Sequence, residues 1–456
     1  MSIIVIGAGE MGYQLARRLS LEKQDVVIID KDPDKVKFVH ETLDVQALVG
    51  RGSSPSVLKE AGIGKASILV AVTDTDEVNL VGCFVAGFFN KFMKKVARLR
   101  QDDYHELSQI ADTKQLGVDL VISPEHEAVD KLLKVINIPY ATDVIDFAEG
   151  RIKLFGINLD DRSPLVGHSL LGLREIYPKD KLLIPTIFRG SDVIIPRGSD
   201  VLQAGDTIYI IAPQTMIPRL VEMSGLKGAV PKNFMILGGT TIGVRIAQEL
   251  EKQGASQIRL VEANLERCEE IAAKLDYTMV LRVGSVDEDF LRSEGIGQLD
   301  AFLAMTEDDE DNALTALLAK KMGVPRVAAL TNKVEYHRLL AAIGVDVVVN
   351  PRLEGASRIL QFIRKGKVMA VSMLPGEGLE AIEFQALETS QLVGKPLKKI
   401  RFPAGAILGA VERGRDFFIP DGSTVIQPED RIIVFARREA VPKVERLVTV
   451  SPNYFG

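Results

Sequence analysis

The sequence lacks most features that mark secreted, membrane-spanning or nucleic-acid-binding proteins. Its 456 residues include only two cysteines, Cys83 and Cys268, too few for a disulfide framework, which favours a reducing compartment. The longest apolar run, residues 80–89, has about ten residues, half of what a membrane-spanning helix needs. The formal charge of −6 offers no attraction to nucleic-acid phosphates or anionic lipid. We therefore predict a soluble protein with no secretory signal that neither binds nucleic acid nor inserts into a membrane.

Residues suited to catalysis are also scarce. The five histidines, at positions 40, 105, 126, 168 and 337, have no metal-ligand spacing, and neither a Ser, His and Asp arrangement nor a reactive cysteine is indicated. A dehydrogenase needs a proton donor or acceptor opposite the nicotinamide, and no candidate occurs in both halves of the chain. This pattern predicts no metal and no catalytic site. It favours binding over catalysis, with an NAD-dependent oxidoreductase as the open alternative.

An internal repeat organises the chain. The segment Ile4–Gly12 recurs as Met235–Gly243, and further matching landmarks follow at nearly constant spacing. The other matched pairs are Asp30 with Glu262, Gly52-Ser53 with Gly284-Ser285, Thr73–Asn79 with Thr306–Asn312, Tyr104-His105 with Tyr336-His337, and Ile195–Ser199 with Ile419–Ser423. One tandem duplication explains all of them. Each half has a longer first lobe and a shorter second lobe, which gives the order N, C, N, C.

The pattern of apolar runs predicts an α/β fold. In the N lobes, short apolar runs alternate with stretches of helical period, as in βαβ units with a parallel sheet. The strands predicted in the first N lobe are 2–6, 26–30, 45–49, 68–72, 95–99 and 118–122. The C lobes have β-branched runs between Gly, Asp and Pro turns. We predict two tandem Rossmann-like, doubly wound domains, at 1–138 and 226–365, each followed by a small β-rich α+β lobe, at 139–225 and 366–456, with a weakly helical linker ending in Gly228-Ala229-Val230-Pro231.

The segment Gly7-Ala8-Gly9-Glu10-Met11-Gly12 has the spacing of a dinucleotide-binding turn. The first glycine permits the tight turn, the second lets backbone amides approach a pyrophosphate, and the third packs the helix against the strand. The following helix N-terminus presents unpaired amides and a favourable dipole to the anion. Asp30, at the end of the next strand, is placed to accept both ribose hydroxyls and would repel a 2′-phosphate. The motif therefore predicts NAD(H), or another adenine nucleotide with free ribose hydroxyls, over NADP.

The second copy departs from this pattern at one position. Thr240 replaces the central glycine, and its β-carbon occupies space that the approach to a pyrophosphate would use. Glu262 preserves the ribose acceptor. Two interpretations stay open: the second half binds a nucleotide, or it is a Rossmann scaffold retained for symmetry.

The acidic run that starts at Thr73-Asp74, like the one that starts at Thr306, lies between a predicted strand and a helix. It is open to three interpretations: helix capping, nucleotide contact, or divalent metal binding. Arg98 and Arg100 follow the fifth predicted strand and are placed to pair with phosphate, and Ala329 and Thr331 are their predicted counterparts in the second half.

Taken together, the N, C, N, C order, the two glycine turns, the acid after the second strand and the segment Val96–Arg100 resemble the TrkA family, the peripheral regulatory subunits of bacterial Trk potassium uptake systems, with tandem RCK (KTN) domains. The resemblance covers essentially the whole chain. It implies a non-enzymatic cytosolic protein, peripheral on the inner face of the cell membrane, that binds NAD(H) and also ATP or ADP. It also implies a homotetrameric ring docked on a potassium-translocating membrane subunit, whose gate the ring controls. A nucleotide-binding scaffold unrelated to transport is the remaining alternative.

The resemblance and the repeat together assign candidate cofactor-binding residues in both halves. They are Gly7, Ala8, Gly9, Glu10, Met11, Gly12, Asp30, Lys31, Gly52, Ser53, Thr73, Asp74, Arg98, Arg100, Gly238, Gly239, Thr240, Thr241, Ile242, Gly243, Glu262, Gly284, Ser285 and Thr306. The implied mechanism has two states. N lobes pair through their apolar helices, for which Leu80–Phe89 is the candidate, and nucleotide changes the angle between the paired lobes.

Overall fold

A computed structural model describes residues 2–101, 104, 117–177, 182–190, 192–224, 230–364, 368–374 and 379–448. His105 and the linker residues Gly228 and Ala229 fall outside the described residues, as do the domain boundaries predicted at 225/226 and 365/366.

The first N lobe is a parallel sheet of six strands in the order β3-β2-β1-β4-β5-β6. Its strands are β1 (Ser2–Ile6), β2 (Asp25–Asp30), β3 (Gln46–Val49), β4 (Ile68–Ala71), β5 (Lys94–Arg98) and β6 (Leu120–Ile122). Its helices are α1 (Glu10–Leu21), α2 (Pro33–Thr42), α3 (Pro55–Glu60) and α4 (Asp76–Phe89). Residues 3–6 of β1 and all four residues of β4 are apolar and buried because helices cover both faces of the sheet.

The second N lobe repeats this topology, with strand order β14-β13-β12-β15-β16-β17. Its strands are β12 (Asn233–Leu237), β13 (Gln257–Glu262), β14 (Met279–Arg282), β15 (Ala301–Ala304), β16 (Arg326–Leu330) and β17 (Val347–Val349). Its helices are α8 (Thr241–Lys252), α9 (Leu265–Ala272), α10 (Glu288–Ser293), α11 (Asp309–Lys321) and α12 (Val334–Ala342). In each lobe the strand order reverses beside the first strand, which places a ligand crevice at the carboxyl ends of β1 and β4 and of β12 and β15.

The C lobes are two five-stranded antiparallel sheets, ordered β10-β9-β11-β8-β7 and β18-β19-β22-β20-β21. Their strands are β7 (Ala141–Phe147), β8 (Ile152–Asn158), β9 (Leu183–Arg189), β10 (Asp192–Ile194), β11 (Asp206–Pro213), β18 (Val368–Met373), β19 (Leu379–Gln385), β20 (Ala406–Arg413), β21 (Asp416–Phe418) and β22 (Arg431–Arg437). Their helices are α6 (Leu170–Ile176), α7 (Ile217–Met223) and α14 (Val441–Val448). The predicted fold class, two Rossmann-like lobes each followed by a β-rich lobe, is confirmed.

Two helices cross between the halves. Helix α5 (Pro124–Ile136) leaves the first N lobe and shares a hydrophobic core with strands and helices of the second. Helix α13 (Pro351–Arg364) makes the reciprocal crossing, so that Ile359 and Leu360 are buried with Ile3 and Leu15 of the first lobe. Each lobe is therefore completed by a helix from the other half.

Within one chain, the two N lobes pair through α5 and α13 and not through the candidate segment Leu80–Phe89, because the apolar stripes of these two helices are buried in the opposite lobe. Pairing of N lobes through Leu80–Phe89 between copies of the chain stays a prediction. Helix α4, which contains the predicted segment, leaves Phe84 and Phe88 59% and 73% exposed.

The C lobes also pack on one another, since Leu154 and Ile211 of the first share a core with Ala381 and Phe435 of the second. In the part of the chain that the structure describes, no helix is long and apolar enough to cross a bilayer.

Candidate functional site

The first glycine turn joins β1 to α1 through close backbone contacts. Gly7 has a φ of 105°, a left-handed value that favours glycine, and its amide donates to the Ile29 carbonyl at 2.8 Å. A β-carbon at position 12 would lie 1.9 Å from the Gly7 carbonyl oxygen. Gly12 is therefore required for packing of the turn itself and does not face a ligand.

Gly9 has a different role. It precedes α1 as its N-cap residue, at φ −66° and ψ 177°, and a β-carbon there would meet nothing within 4 Å. No side chain caps the first turn of α1. The amides at this helix end therefore face open space, an arrangement suited to an anion.

Asp30 ends β2 beside the turn. Its carboxylate accepts hydrogen bonds from the amides of Ala8 at 2.6 Å and Asp32 at 2.9 Å. The expected ribose acceptor is therefore also a brace for the glycine turn. Glu262 has the same geometry in the second half, where it accepts from the amides of Gly239, Ala263 and Asn264.

The acidic run after β4 is fixed by one amide side chain. Asn79 is fully buried, and its Oδ1 accepts from the Thr73 amide at 2.9 Å and hydroxyl at 2.7 Å. Its Nδ2 donates to the Arg98 carbonyl at 2.9 Å, and Asp76 accepts from the Arg100 amide at 2.9 Å. These bonds hold the ends of β4 and β5 together at the carboxyl edge of the sheet.

Arg98 and Arg100, the arginine pair, reach this edge from the end of β5. Arg98 is 8% exposed; its guanidinium lies 3.3 Å from Asp74 and 3.7 Å from Glu125, and Arg100 lies 3.5 Å from Glu125. Burial lowers the pKa of Arg98 below its ordinary value, and the nearby charges of Arg100 and Arg352 act in the same direction. The carboxylates of Glu125 and Asp74 oppose that shift. A buried guanidinium, that of Arg98, beside the exposed guanidinium of Arg100 is an arrangement suited to phosphate.

One cleft of about 1560 Å³ runs along the carboxyl edges of both N lobes. We call it the shared cleft. It exceeds the roughly 300–1,000 Å³ of most ligand pockets, and residues of both halves line it. The candidate residues that line it are Gly7, Ala8, Gly9, Glu10, Met11, Asp30, Lys31, Gly52, Ser53, Thr73, Asp74, Arg98, Arg100, Thr240, Thr241, Ile242 and Thr306. Those outside its lining are Gly12, Gly238, Gly239, Gly243, Glu262, Gly284 and Ser285.

The second glycine turn has nearly the same backbone conformation as the first, but the N-terminus of the helix that follows it, α8, is capped differently. Gly238 has a φ of 107°, and Thr240 has nearly the conformation of Gly9, at φ −68° and ψ 167°. The Thr240 hydroxyl accepts from the Gly243 amide at 3.2 Å and donates to the Met305 carbonyl at 2.8 Å. A side chain thus occupies the place above α8 that is open above α1, and it satisfies one of the amides that an anion would use.

The second half also lacks the arginine pair. The Asn312 amide donates to the Leu330 carbonyl at 3.0 Å, as Asn79 does to Arg98, and Asp309 accepts from the Asn332 amide at 2.9 Å. Leu330 and Asn332 are therefore the counterparts of Arg98 and Arg100. The sequence comparison, which gave Ala329 and Thr331, was wrong by one residue.

Among the charged residues of the cleft that were not predicted, two influence the charge of Arg98. Glu125 is the second residue of α5 and Arg352 is the second residue of α13, and both line the shared cleft. The repeat aligns Pro124 with Pro351 and so makes this pair recognisable in the sequence, but only the crossing of the helices shows that both lie at one site. Among the described residues, no group of three or more His, Cys, Asp or Glu side chains is arranged to hold a metal ion.

Two family models match the chain in tandem. The TrkA-N domain model matches residues 3–124 and 234–351, and the TrkA-C domain model matches residues 154–225 and 381–449. The Trk system potassium uptake protein TrkA of Azorhizobium caulinodans is 38% identical to the chain, with 100% of each chain covered. That of Halomonas elongata is 34% identical, also with 100% of each covered.

Solved structures share the fold at lower identity. The chain resembles the GsuK channel with a TM-score of 0.62 at 17% identity, over 98% of this chain and 78% of that one. It resembles the GsuK channel bound to NAD with a TM-score of 0.59 at 17% identity, over the same shares. The tandem matches to both family models and the full-length relatives at 34–38% identity show that the chain belongs to the TrkA family of Trk potassium uptake proteins.

Proposed function

We propose that this protein is a regulatory subunit that binds NAD(H) at the first glycine turn and controls a membrane potassium transporter. The observation that supports this most is the uncapped amide end of α1 at Gly9, which lies in one cleft with Asp30 and the arginine pair. Backbone amides would hold the diphosphate, and the Asp30 carboxylate would hold the adenosine ribose. The carboxylate disfavours a 2′-phosphate and so favours NAD(H) over NADP.

ATP and ADP fit the same chemistry. They carry the adenosine and the diphosphate that the turn would recognise, and the arginine pair lies further along the cleft. A relative in fold, GsuK, has been solved bound to NAD.

We propose binding without turnover. The described residues that line the shared cleft include no histidine or cysteine, and its candidate acids, Glu10, Asp30 and Asp74, are each engaged in a hydrogen bond or an ion pair. An oxidoreductase would have to transfer hydride to a bound substrate with a proton donor or acceptor beside it. Absence of NADH turnover across a panel of carbonyl substrates, with binding retained, would reject that alternative.

The control mechanism follows from the position of the cleft between two lobes. A ligand that contacts both lobes changes their relative orientation only if it binds the two arrangements with different affinity, about 1.4 kcal/mol for each tenfold difference. Such a change would pass through the lobes to the transporter at the cytoplasmic face of the membrane. The test measures potassium flux through the reconstituted transporter complex during nucleotide titration, and flux that is unchanged at saturating nucleotide would refute the proposal. A pull-down with the transporter separates it from a scaffold unrelated to transport.

The acid of the first site provides one prediction. Asp30→Asn removes the charge and one acceptor oxygen, so we expect NAD+ affinity to fall at least tenfold in calorimetric titration, since hydrogen bonds to charged groups contribute about 1.5–3 kcal/mol each. The nucleotide response of flux should weaken in parallel. Glu262→Gln is the matched control, because Glu262 braces its own turn in the same way, and it should leave affinity unchanged. Equal affinities of Asp30→Asn and the unaltered protein would remove Asp30 from the site.

Assembly of several chains into a ring needs a surface that is not already used by the pairing of the two N lobes within one chain. The outer face of α4 presents Val81, Phe84 and Phe88, and the Phe84 and Phe88 rings meet edge to face at 5.0 Å. Exposed aromatic groups of this kind mark protein interfaces. We propose that this face contacts a further copy of the chain in a homotetrameric ring.

A double substitution tests the assembly surface. Phe84→Glu with Phe88→Glu places two charges on the outer face of α4, and we expect light scattering to report a smaller assembly than for the unaltered protein. Leu265→Glu, at a leucine of α9 that is 50% exposed, should leave the mass unchanged. An unaltered mass for the double variant would exclude α4 from the ring interface.

A further inference from the structure

The loop between α4 and β5 projects a phenylalanine into solvent. Phe92 is 96% exposed, whereas its neighbour Met93 is 2% exposed and anchors the loop in the core of the first N lobe. Asn90 fixes the shape of the loop: its Nδ2 donates to the Ala66 carbonyl at 3.0 Å, and its Oδ1 accepts from the Phe92 amide at 3.0 Å. The Phe92 ring is therefore held outward by a fixed backbone.

Lysines surround this ring at the amino-terminal edge of the sheet. The segments 59–66 and 90–95, which the Asn90 side chain joins, contain five lysines and one acid, Glu60. A second acid, Asp119, lies beside them and bonds to the backbone of β5 at 2.8 Å. We call Phe92 and four exposed lysines the edge patch; these lysines are Lys59, Lys65, Lys91 and Lys94. The charge of −6 on the whole chain does not reveal this local excess of positive charge.

The corresponding edge of the second half has no such patch in the described chain. The loop 322–325 contains neither an aromatic residue nor a lysine, and Val324 within it is buried. Two of the basic residues beside it are engaged: Lys320 pairs with Asp346 at 2.7 Å, and Arg326 donates to a backbone carbonyl of the first half. Since the two edges derive from one duplicated sequence, the edge patch is not a requirement of the fold.

We propose that the edge patch contacts the anionic headgroups of a phospholipid bilayer. An anionic membrane surface attracts each nearby lysine by about fivefold in affinity, and a phenylalanine among lysines is suited to the boundary between headgroups and acyl chains. A protein partner would have to enclose the ring in a pocket of its own, whereas a bilayer needs only an exposed ring among positive charges.

The contact would orient the first N lobe toward the membrane. The edge patch precedes β4 and β5, whereas the shared cleft lies at the carboxyl ends of the same strands. A ligand in the cleft therefore leaves the edge patch free, and the inference does not depend on the proposed nucleotide site.

Sedimentation of the full-length protein with vesicles tests the inference. Vesicles that contain phosphatidylglycerol should bind the protein at low ionic strength, and vesicles of phosphatidylcholine alone should not. Lys65→Glu with Lys91→Glu should weaken binding at least about tenfold, because each reversal replaces an attraction with a repulsion. Phe92→Ser should weaken binding at least about threefold and abolish the part that persists at high salt, since salt does not screen an apolar contact.

Each variant has a matched control. Lys274→Glu with Lys321→Glu makes the same change in net charge at exposed lysines of the second N lobe, and it should leave vesicle binding within about twofold. Leu265→Ser is the control for Phe92→Ser, since this leucine is also exposed. The melting temperature and the NAD+ affinity should stay unchanged in all four variants, because every substituted side chain lies at the surface and outside the cleft.

Three results would overturn the inference. Absence of binding to phosphatidylglycerol vesicles would exclude a lipid contact, and loss of the transporter pull-down in detergent by the double-lysine patch variant would then assign the edge patch to the membrane subunit. Equal losses in this variant and its control would attribute vesicle binding to the net charge of the chain. A smaller assembly of Phe92→Ser in light scattering would place the loop at an interface between copies. All three results leave the proposed nucleotide binding standing.

Discussion

Gly9→Thr should reduce NAD+ affinity about a hundredfold or more, equivalent to about 2.7 kcal/mol, while the melting temperature stays near that of the unaltered protein. The structure separates these two effects. A β-carbon at position 9 meets no protein atom within 4 Å, so the substitution causes no clash in the folded chain. It fills the space above the α1 amides that the diphosphate would occupy.

The chain contains its own precedent for this substitution. Thr240 has nearly the backbone conformation of Gly9, and its hydroxyl caps the Gly243 amide. A threonine at position 9 would therefore both block the approach and cap the Gly12 amide, which removes a donor from the ligand. Since Thr is a favourable N-cap residue, stability should be retained or slightly increased.

Thr240→Gly is the matched control. It opens the second turn but restores neither arginine, because Leu330 and Asn332 occupy those places. We expect calorimetry to give one NAD+ per chain in the unaltered protein and in Thr240→Gly, and none in Gly9→Thr at the same concentrations. Two sites per chain, or undiminished binding by Gly9→Thr, would contradict the assignment of the ligand to the first turn.

Gly12→Asp, a more obvious substitution in the motif, is a poorer test. Because a β-carbon at Gly12 would approach the Gly7 carbonyl to 1.9 Å, any side chain there disrupts the turn whether or not a ligand binds. The motif already predicts a different role for each of the three glycines. The structure assigns Gly7 and Gly12 to the backbone turn and leaves Gly9 facing the cleft.

The fold was predictable because each lobe has local patterns that specify it. Apolar strands with intervening helices define a doubly wound sheet, and the duplication extends that prediction to the second half without further evidence. Strand ends such as those of β1 and β4 were placed within one residue.

The shared cleft was not predictable from the same patterns. The apolar stripes of α5 and α13 show that one face of each helix is buried, but they do not show which lobe covers it. The exchange of these helices brings Glu125 and Arg352 to one site, although more than two hundred residues separate them in the chain. The register of β16 was missed for a similar reason, since an alignment of two short apolar strands tolerates a shift of one residue that the bonds of Asn312 exclude.

The second large effect that we expect is a loss of folding stability in the C lobes. Arg189 donates to both carboxylate oxygens of Asp206 at 2.8 Å and to the Val201 carbonyl at 3.0 Å, and Asp206 is fully buried. Arg413 and Asp430 repeat this arrangement in the second half. Arg189→Met would leave a buried carboxylate without its guanidinium. We expect the free energy of unfolding to fall by about 1.5–3 kcal/mol at neutral pH, the range for hydrogen bonds to charged groups, because Asp206 is fully buried but the Arg189 side chain is 35% exposed.

Denaturation by urea at several pH values tests this prediction and its cause. Burial would raise the pKa of Asp206, but the hydrogen bonds from Arg189 and the Gln203 amide, with the charge of Arg189, hold that pKa below its ordinary value. A carboxyl group with a depressed folded-state pKa stabilises the protein above its unfolded pKa of about 3.9, and this contribution is lost as the pH falls through the folded value. The loss in free energy of unfolding caused by Arg189→Met should therefore be largest near neutral pH. It should shrink below about pH 4, where protonation also removes the uncompensated charge.

Arg219→Met is the control, since its pair with Glu222 lies at the surface and should contribute less than about 1 kcal/mol. A deficit that does not change with pH would mean that Arg189 stabilises the lobe by packing and not through its charge.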